Sequence, residues 1–576
     1  MKGPRFLIVL ALTLFLSLGL IPFALPVQPA EAAVSWAVHD GDLTINSHRI
    51  ASAWVIKNGP GDYQMWYVHG TTSTDLSGIL GGLSPLLSQQ IFHDIASVDL
   101  EGLLNDLAAL SGSPAIDSLW DLLDNSTSVI GYATSSNGID WTVVNDEITG
   151  LNSGSTFWDG VSAPSVVKTG SSYQMWYTHP STSLTKTDFN SYLADLDDSD
   201  PAVVKAAILA LLDSTSSVIG YATSDDARAW TPVAPDVVDA TGSGIWKSVA
   251  APSVIRNSDT DYQMWFTNAA TDFTDANLDT VLADPAAFDI NDLKGILDET
   301  STTIGYATSS DGQTWAVQDA SVLAGSSGGI WDSVSTPSVV KTAPDSYEMW
   351  FTRAKTDLTS ANIQTLFDDF VALEPELTIL RNYYDPGNLT PFITEFTDFI
   401  DNDIADIEAL LAGTGSVIAY ATSTDGANWT VEQNTSLGRV GPGPWGSVAS
   451  PCVVYSSGLY EMWYAKGTDN LTAQYLLNLL QGTPDPGEFP IGYAASSVSI
   501  NLVTGWNFVG LPVIPASNNV NDVLASIMGE VTIVWYYDGT TPWKYFIPGG
   551  SATLTEMTER KAYWIQMTAD NTLTIN

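Results

Sequence analysis

Two carboxylates occupy matched places in this chain: Asp159 directly follows Trp158, and Asp332 directly follows Trp331. The corresponding residues after Trp246 and Trp445 are Lys247 and Gly446. Two acids and a lysine gathered round one opening could hold a sugar or a metal ion, and the acids could exchange protons with a bound group. The plainer reading makes them loop residues at junctions between repeats. The four tryptophans offer flat apolar rings that could stack on a sugar, or could serve as packing at those junctions. A second set of polar groups ends each of five similar strands: His69, His179, Asn268, Arg353 and Lys466. A repeat that keeps its scaffold and varies one position can use that position for recognition; solvated strand ends are the alternative.

What must position these residues is a repeat. Its first signature is an aromatic strand, Tyr63-Gln64-Met65-Trp66-Tyr67, found again at Tyr173 to Tyr177, Tyr262 to Phe266, Tyr347 to Phe351 and Tyr460 to Tyr464. Its second runs Ile130-Gly131-Tyr132-Ala133-Thr134-Ser135, then a turn, then Trp141, with counterparts leading to Trp230, Trp315 and Trp429. The Ser-Asn-Gly or Ser-Asp-Gly between them predicts a tight hairpin in which Asn or Asp and Gly take up positive φ. A further strand precedes each aromatic one, as in Ala163 to Lys168 and Ala251 to Arg256, with Ser52 to Lys57 as a degenerate first copy. Four strands per unit and five units predict an all-β, five-bladed β-propeller.

The fifth unit, Ile491 to Ser496, lacks the turn and the tryptophan strand. Val34-Ser35-Trp36-Ala37-Val38 lacks a partner at the other end of the chain, so it is expected to pair with the fifth unit and close the ring. By strand alternation Glu348 and Glu461, which replace the Gln of the other aromatic strands, should lie between blades and form hydrogen bonds there. Residues 70–127, 180–215, 269–301, 354–415 and 467–488 read as helical inserts between second and third strands, as in Val203 to Leu212. Each begins near a Thr-Asp pair (Thr74-Asp75, Thr187-Asp188, Thr271-Asp272, Thr356-Asp357, Thr468-Asp469) that suggests a helix N-cap. The inserts should crown one mouth of the ring. Their apolar faces would pack on one another or present a docking surface to a protein partner.

The apolar run from Phe6 to Leu25 and the Ala30-Glu31-Ala32 site predict a cleaved signal peptide over 1–32, hence export, with a retained anchor as the alternative. Taking Lys2, Arg5 and Glu31 from the 20 basic and 65 acidic residues leaves a formal charge of −46. Such a chain is unsuited to nucleic acid, which demands clustered Lys and Arg. Cys452 is the only cysteine, so no intrachain disulfide or cysteine-based metal cage can form, and nothing in the sequence calls for a cofactor. The ring is expected over 33–498 and a separate β-rich module over 499–576, with one short helix near Val520 to Met528.

The pairing of Pro-Ser-Val-Val-Lys…Tyr-x-Met-Trp-Tyr with Gly-Tyr-Ala-Thr-Ser-x-Asp-Gly-x-x-Trp resembles the five-bladed propellers of the arabinanase, β-xylosidase, levansucrase and invertase superfamily, over residues 34 to 497. The last seventy-five or so residues faintly resemble C-terminal modules of prokaryotic surface proteins. The first resemblance implies an Asp base or nucleophile and a Glu acid at the starts of the innermost strands, as glycoside hydrolysis requires. Here those places hold Ser52, Ala163, Ala251, Thr336 and Ser450, preceded by Ala51, Ser162, Ala250, Ser335 and Ala449. None can transfer a proton. The expectation is therefore a secreted or cell-surface protein that binds a carbohydrate or surface glycan at the crowned mouth. A hydrolase with relocated carboxylates at Asp159 and Asp332, and a purely structural surface protein, are the alternatives.

Overall fold

The structure, a computed structural model, describes residues 36–39, 43, 45, 50–72, 100–152, 154, 156–181, 184–285, 290–326, 332–356, 365, 391, 394–395, 412–441, 446–456, 459–467, 491–496, 498–511, 518–537, 539, 542–558 and 561–575. Residues 1–35, which include the expected signal peptide, and most of the last two inserts lie outside that set.

A short strand β1 (Trp36–Val38) is followed by four groups of four strands. They are β2 (Ile50–Gly59), β3 (Asp62–Thr72), β4 (Ser126–Ser135) and β5 (Trp141–Asn145), then β6 (Ser162–Thr169), β7 (Ser172–Pro180), β8 (Ser217–Ser224) and β9 (Thr231–Ala234). Next come β10 (Lys247–Ser258), β11 (Asp261–Thr271), β12 (Thr300–Ser309) and β13 (Trp315–Leu323), and β14 (Asp332–Ala343), β15 (Ser346–Lys355), β16 (Gly415–Ser423) and β17 (Thr430–Leu437). Each group is one antiparallel sheet in chain order. A fifth group contributes only β18 (Val448–Ser456), β19 (Leu459–Lys466) and β20 (Ile491–Ser496), and β1 completes it. The register is Trp36↔Ser496, Ala37↔Ala495 and Val38↔Ala494, within the span expected for the opening segment; Val34 and Ser35 lie outside the described residues. First strands touch in a cycle, β2 on β6, β6 on β10, β10 on β14, β14 on β18 and β18 on β2. The architecture is all-β and of propeller type.

Each seam of the ring is fastened by the second residue of the aromatic motif. Gln64 bonds the hydroxyls of Tyr132 in its own sheet and Tyr173 in the next. Gln174 joins Tyr221 to Tyr262, and Gln263 joins Tyr306 to Tyr347. At the two remaining seams Glu does the same: Glu348 accepts from Tyr420 and Tyr460, and Glu461 from Tyr493 and Tyr63. Glu461 also pairs with Lys57, so a charged link crosses the seam between the fifth and first sheets. The two glutamates thus lie between sheets, as alternation requires. Burial first, then the nearby Glu348 carboxylate, pushes the phenols of Tyr420 and Tyr460 upward and keeps both as donors.

Buried tryptophans lock the same seams from the outer side. Trp66 Nε1 donates to Ala227 O (3.1 Å), Trp176 to Gly312 O (2.8 Å), Trp265 to Gly426 O (2.7 Å) and Trp463 to Gly138 O (2.8 Å), each acceptor lying in the hairpin of the next sheet. Trp350 would need such a hairpin in the fifth sheet. There the chain has none, because β20 and β1 come from opposite ends, and the Trp350 indole N–H is buried without a partner among the described residues. Trp36 packs edge-on against it instead, with ring centroids 5.8 Å apart. The expected hairpin glycines hold φ of 80°, 74° and 78° at Gly138, Gly312 and Gly426; the second sheet uses Ala227 at φ 69° instead. Asn137, Asp226, Asp311 and Asp425 do not take the positive φ expected of the Asn or Asp; each side-chain oxygen accepts from the backbone N–H groups two and three residues on.

A third seam contact runs through the innermost strands. Ser165, Ser253 and Ser338 accept from the backbone N–H of Val254, Val339 and Val453 in the following sheet, each at 2.9–3.0 Å. Cys452 takes this place at the closing seam, its Sγ 3.1 Å from Val55 N. Burial pushes its thiol up to about 12, although the Val55 N–H acts the other way. It should therefore ignore a thiol reagent in the native state and react within seconds in urea. Cys452→Ser should leave the unfolding free energy within about 1 kcal/mol of wild type, the size of one neutral hydrogen bond, because serine already performs the task at three seams. A larger loss would mean that sulfur's bulk, not its acceptor, is what the seam uses.

Inserts contribute helices α1 (Leu100–Ala109), α2 (Pro114–Asp124), α3 (Lys186–Ala194), α4 (Pro201–Asp213), α5 (Asp275–Ala283) and α6 (Ile290–Glu299). Their apolar faces turn on one another: Leu103, Leu107, Leu193, Ile208, Leu212, Leu278 and Ile296 belong to one buried cluster. Of the two Thr-Asp pairs that lie wholly within the described residues, neither supplies the cap: Thr187 is already inside α3 and Thr271 is in β11. Thr185 caps α3, with Asp188 three residues on, and Thr274 caps α5, because the cap must be the last non-helical residue whose oxygen can reach the first turn. Thr271 closes β11; Thr74, Asp75, Asp357, Thr468 and Asp469 lie outside the described residues.

Beyond the ring, β21 (Val498–Leu502) pairs with β26 (Asn571–Ile575). A four-stranded sheet orders β22 (Gly505–Gly510), β25 (Ala562–Met567), β23 (Val531–Tyr536) and β24 (Lys544–Phe546), and α7 (Val520–Val523) packs with it. Leu511, Leu524, Ile527, Val534, Met557 and Ile565 form its core.

Candidate functional site

Four innermost strands carry a backbone irregularity at a proline, which is followed by Ser in three of them and by Cys452 in the fourth. The residue before each proline, Ala163, Ala251, Thr336 and Ser450, has φ of 42°, 49°, 45° and 50°. The ladder slips there, between Ser162 and Ser165, Ala250 and Ser253, Ser335 and Ser338, and Ala449 and Cys452. A non-glycine residue in this region costs about 1–2 kcal/mol. At three of the four, a threonine of the preceding sheet offsets it: Thr178, Thr267 and Thr352 accept from the N–H of Ala251, Thr336 and Ser450, each at 2.9 Å. Ser52, followed by Ala53 rather than proline, lacks the positive φ, although the ladder slips between Ile50 and Ser52 as well. The side chains aimed by these bulges are methyls and hydroxyls. No carboxylate is among them.

Asp332 and Arg353 meet. Arg353 Nε lies 2.9 Å from Asp332 Oδ1 and its terminal nitrogen 2.7 Å from Oδ2, a two-pronged pair of which both members are buried. Ser326 adds its N–H (2.7 Å) and hydroxyl (2.6 Å) to Oδ2, and Asn434 accepts from Arg353. Burial alone would raise the Asp332 pKa; the guanidinium and Ser326 outweigh it and hold the carboxyl well below the usual carboxylate range. A carboxylate fixed in this way is a poor proton carrier.

Asp159 serves a one-turn 3-10 helix (Phe157–Asp159), its Oδ2 accepting from Thr156 N (3.1 Å) and Thr156 Oγ1 (2.7 Å). Trp158 in the same turn is half-buried, and its indole N–H has no partner among the described residues. Trp246 is packed into the helical cluster and donates to Thr215 Oγ1 at 3.1 Å. Trp331 and Trp445 lie outside the described residues.

The varied strand ends hold connecting segments. His69 stacks on Tyr67, and its Nε2 lies 2.9 Å from Asp146 O, while Tyr67 donates to Asp146 Oδ1. His179 Nε2 lies 2.6 Å from Pro235 O. Asn268 receives Thr241 N and returns a bond to Thr241 O, both 3.2 Å. Arg353 reaches Asn434 on β17. His69, His179 and Arg353 thus tie the second strand to the segment at or after the fourth strand of the same sheet, whereas Asn268 ties its strand to the segment that leads into β10. Lys466 ends β19 opposite Val448. Sequence reasoning singled out Asp332 and Arg353 separately but missed their union, and it missed Asp146, Asn434 and the bulge. A Pro preceded by Ala, Thr or Ser at four matched positions was the available signal for the bulge. Among the described residues no group of three His, Cys, Asp or Glu side chains could hold a metal ion.

No family model matches the chain, and no curated protein does. Solved structures do. The chain is similar to a glycoside hydrolase (12% identity, TM-score 0.40, 81% of this chain and 92% of that one). It is similar to an endo-arabinase from Bacteroides thetaiotaomicron (10%, 0.33, 81% and 96%). It is also similar to an exo-1,5-alpha-L-arabinanase from a bovine ruminal metagenomic library (8%, 0.32, 81% and 95%). At these identities no residue's role passes from those proteins to this one.

Proposed function

We propose that this chain is a secreted or cell-surface five-bladed propeller that binds a carbohydrate or surface glycan at its helix-crowned mouth without hydrolysing it. One observation carries the reading: the residues before the innermost-strand prolines are Ala163, Ala251, Thr336 and Ser450, none able to transfer a proton, while Asp332, which opens β14, has both oxygens engaged by Arg353 and Ser326. Binding without bond cleavage needs shape, stacking and hydrogen bonds but no proton carrier. Trp158 supplies a partly exposed ring for stacking, its indole N–H being turned inward and buried. The apolar run from Phe6 to Leu25 and the Ala30-Glu31-Ala32 site, read as an export signal over 1–32, favour a place outside the cell, where polysaccharide is met.

The test pairs binding with turnover. A glycan array should give a signal that Trp158→Ala reduces at least tenfold without moving the unfolding midpoint, and arabinan, xylan and fructan should release no reducing sugar. Release that disappears in Asp159→Asn would replace the reading with a hydrolase using relocated acids. Failure to bind any polysaccharide would leave a structural protein that meets its partner through the crown.

A further inference from the structure

The C-terminal sheet has two unlike faces. Val509, Tyr563, Ile565, Val534, Tyr536 and Phe546 point inward and are buried in the module's core. Alternation sends Trp506, Phe508, Trp564, Trp535, Tyr545 and, just before β24, Trp543 to the other side. Four of these stay conspicuously open: Trp506 50%, Phe508 63%, Trp543 51% and Trp564 42% exposed. They form a continuous surface. Phe508 and Trp564 are register partners with centroids 4.7 Å apart, Trp564 faces Trp535 in the register, and Trp535 lies 5.4 Å from Tyr545 and 6.1 Å from Trp543.

We propose that this face is a stacking platform for a neutral polysaccharide, a site independent of the ring and of the reading given for it. Size argues first. Four strands about 4.8 Å apart and six residues of about 3.3 Å each give a face on the order of 400 Å². A stable protein partner needs about 800 Å² from each side, roughly twice as much. Charge argues second. Within these four strands no described Asp, Glu, Lys or Arg alternates to this face, although the chain carries 65 acidic residues. An anionic glycan or an anionic bilayer would meet no cation there and would be repelled by the rest of the molecule. Chemistry argues third. The face is built of rings rather than of Leu, Val and Met, and flat rings match the C–H faces of pyranose units. The Gln566 amide, which alternates to the same side, and the polar tips of Trp and Tyr can meet the hydroxyl edges.

Affinity electrophoresis of the full chain tests it, in native gels holding soluble neutral β-glucan, arabinoxylan or galactomannan, with polygalacturonate as the charged comparison. At least one neutral gel should retard the protein and polygalacturonate should not. Trp564→Ala and Trp506→Ala should each weaken the retardation at least tenfold with unchanged unfolding midpoints, while Trp158→Ala should leave it intact. The proposal is overturned if no neutral polysaccharide retards the chain, or if retardation survives both module substitutions. A Trp564-dependent dimer in sedimentation velocity, or Trp564-dependent binding to phosphatidylcholine vesicles, would assign the face to a second copy or to a membrane and overturn it equally.

Discussion

Deleting the chain through Val38 should destabilise the ring by more than about 3 kcal/mol, toward the range for removing a buried large aromatic side chain, and should turn a soluble protein into one that associates. The segment is three residues of strand, yet it does several things at once. It covers the outer edge of β20, whose unpaired N–H and C=O groups would otherwise invite another chain. It places Trp36 against Trp350, the one seam tryptophan whose indole finds no hairpin carbonyl, and Trp36 Nε1 itself bonds Ser436 Oγ at 2.9 Å on the neighbouring sheet. A urea titration with light scattering on the same samples reads both effects. Trp36→Phe, which keeps a ring against Trp350 but loses the Ser436 bond, should recover most of the loss and stay soluble. A synthetic peptide spanning residues 33–39 should restore part of the deleted variant's stability by adding back a strand. Stability within about 1 kcal/mol of wild type after the deletion would mean that the three seam systems alone hold the fifth sheet, and that closure by β1 is incidental.

The repeats were legible because each rests on chemistry local to the chain: period-two patterning, Asp-Gly turns and an aromatic strand that has to be buried. Even the glycine of Gly-Tyr-Ala has a local signature with a distant cause. A Cβ on Gly131 would stand 2.3 Å from the ring of Tyr67 on the paired strand, so the position stays empty of side chain. In the fourth sheet Ala419 pairs with Phe351; the absent hydroxyl is not what admits it, since Phe266 of the third sheet would stand 2.5 Å from a Cβ on Gly305. The pairing of β1 with β20 was legible by elimination, since one sheet lacked a strand and one strand lacked a sheet. The site was harder to read. Whether Asp332 is a proton carrier or half of an ion pair depends on where Arg353 ends up, and 21 positions of sequence separation do not show that both lie at the same end of one hairpin, with Ser326 folded back over them. The Thr-Asp pairs illustrate the converse error: the right residue types stood near the right helix starts, but the capping oxygens were Thr185 and Thr274.

Asp332→Ala should cost about 3–5 kcal/mol, the range for removing one partner of a buried ion pair, because Arg353 remains buried with its charge uncompensated. Its side chain is only 8% exposed, and Asn434 and Ser326 offer neutral acceptors in place of a carboxylate. Replacing both partners by apolar residues, as in Asp332→Leu with Arg353→Met, should be far milder than the single substitution, since no charge is then stranded. The pH dependence has a definite sign. A carboxyl whose folded pKa lies below its unfolded value of about 3.9 stabilises the fold fully above that value and loses the contribution as pH falls toward the folded pKa. The gap between wild type and Asp332→Ala, measured by urea unfolding, should therefore be widest at neutral pH, hold to about pH 5 and narrow below about pH 4. The same series separates scaffold from catalysis. A structural pair makes stability follow the substitution while turnover is absent in every variant; a catalytic Asp332 would make Asp332→Asn abolish a measurable reducing-sugar release while leaving the unfolding curve close to wild type. The two oxygens already carry four donors from Arg353 and Ser326, and that saturation is why the first outcome is expected.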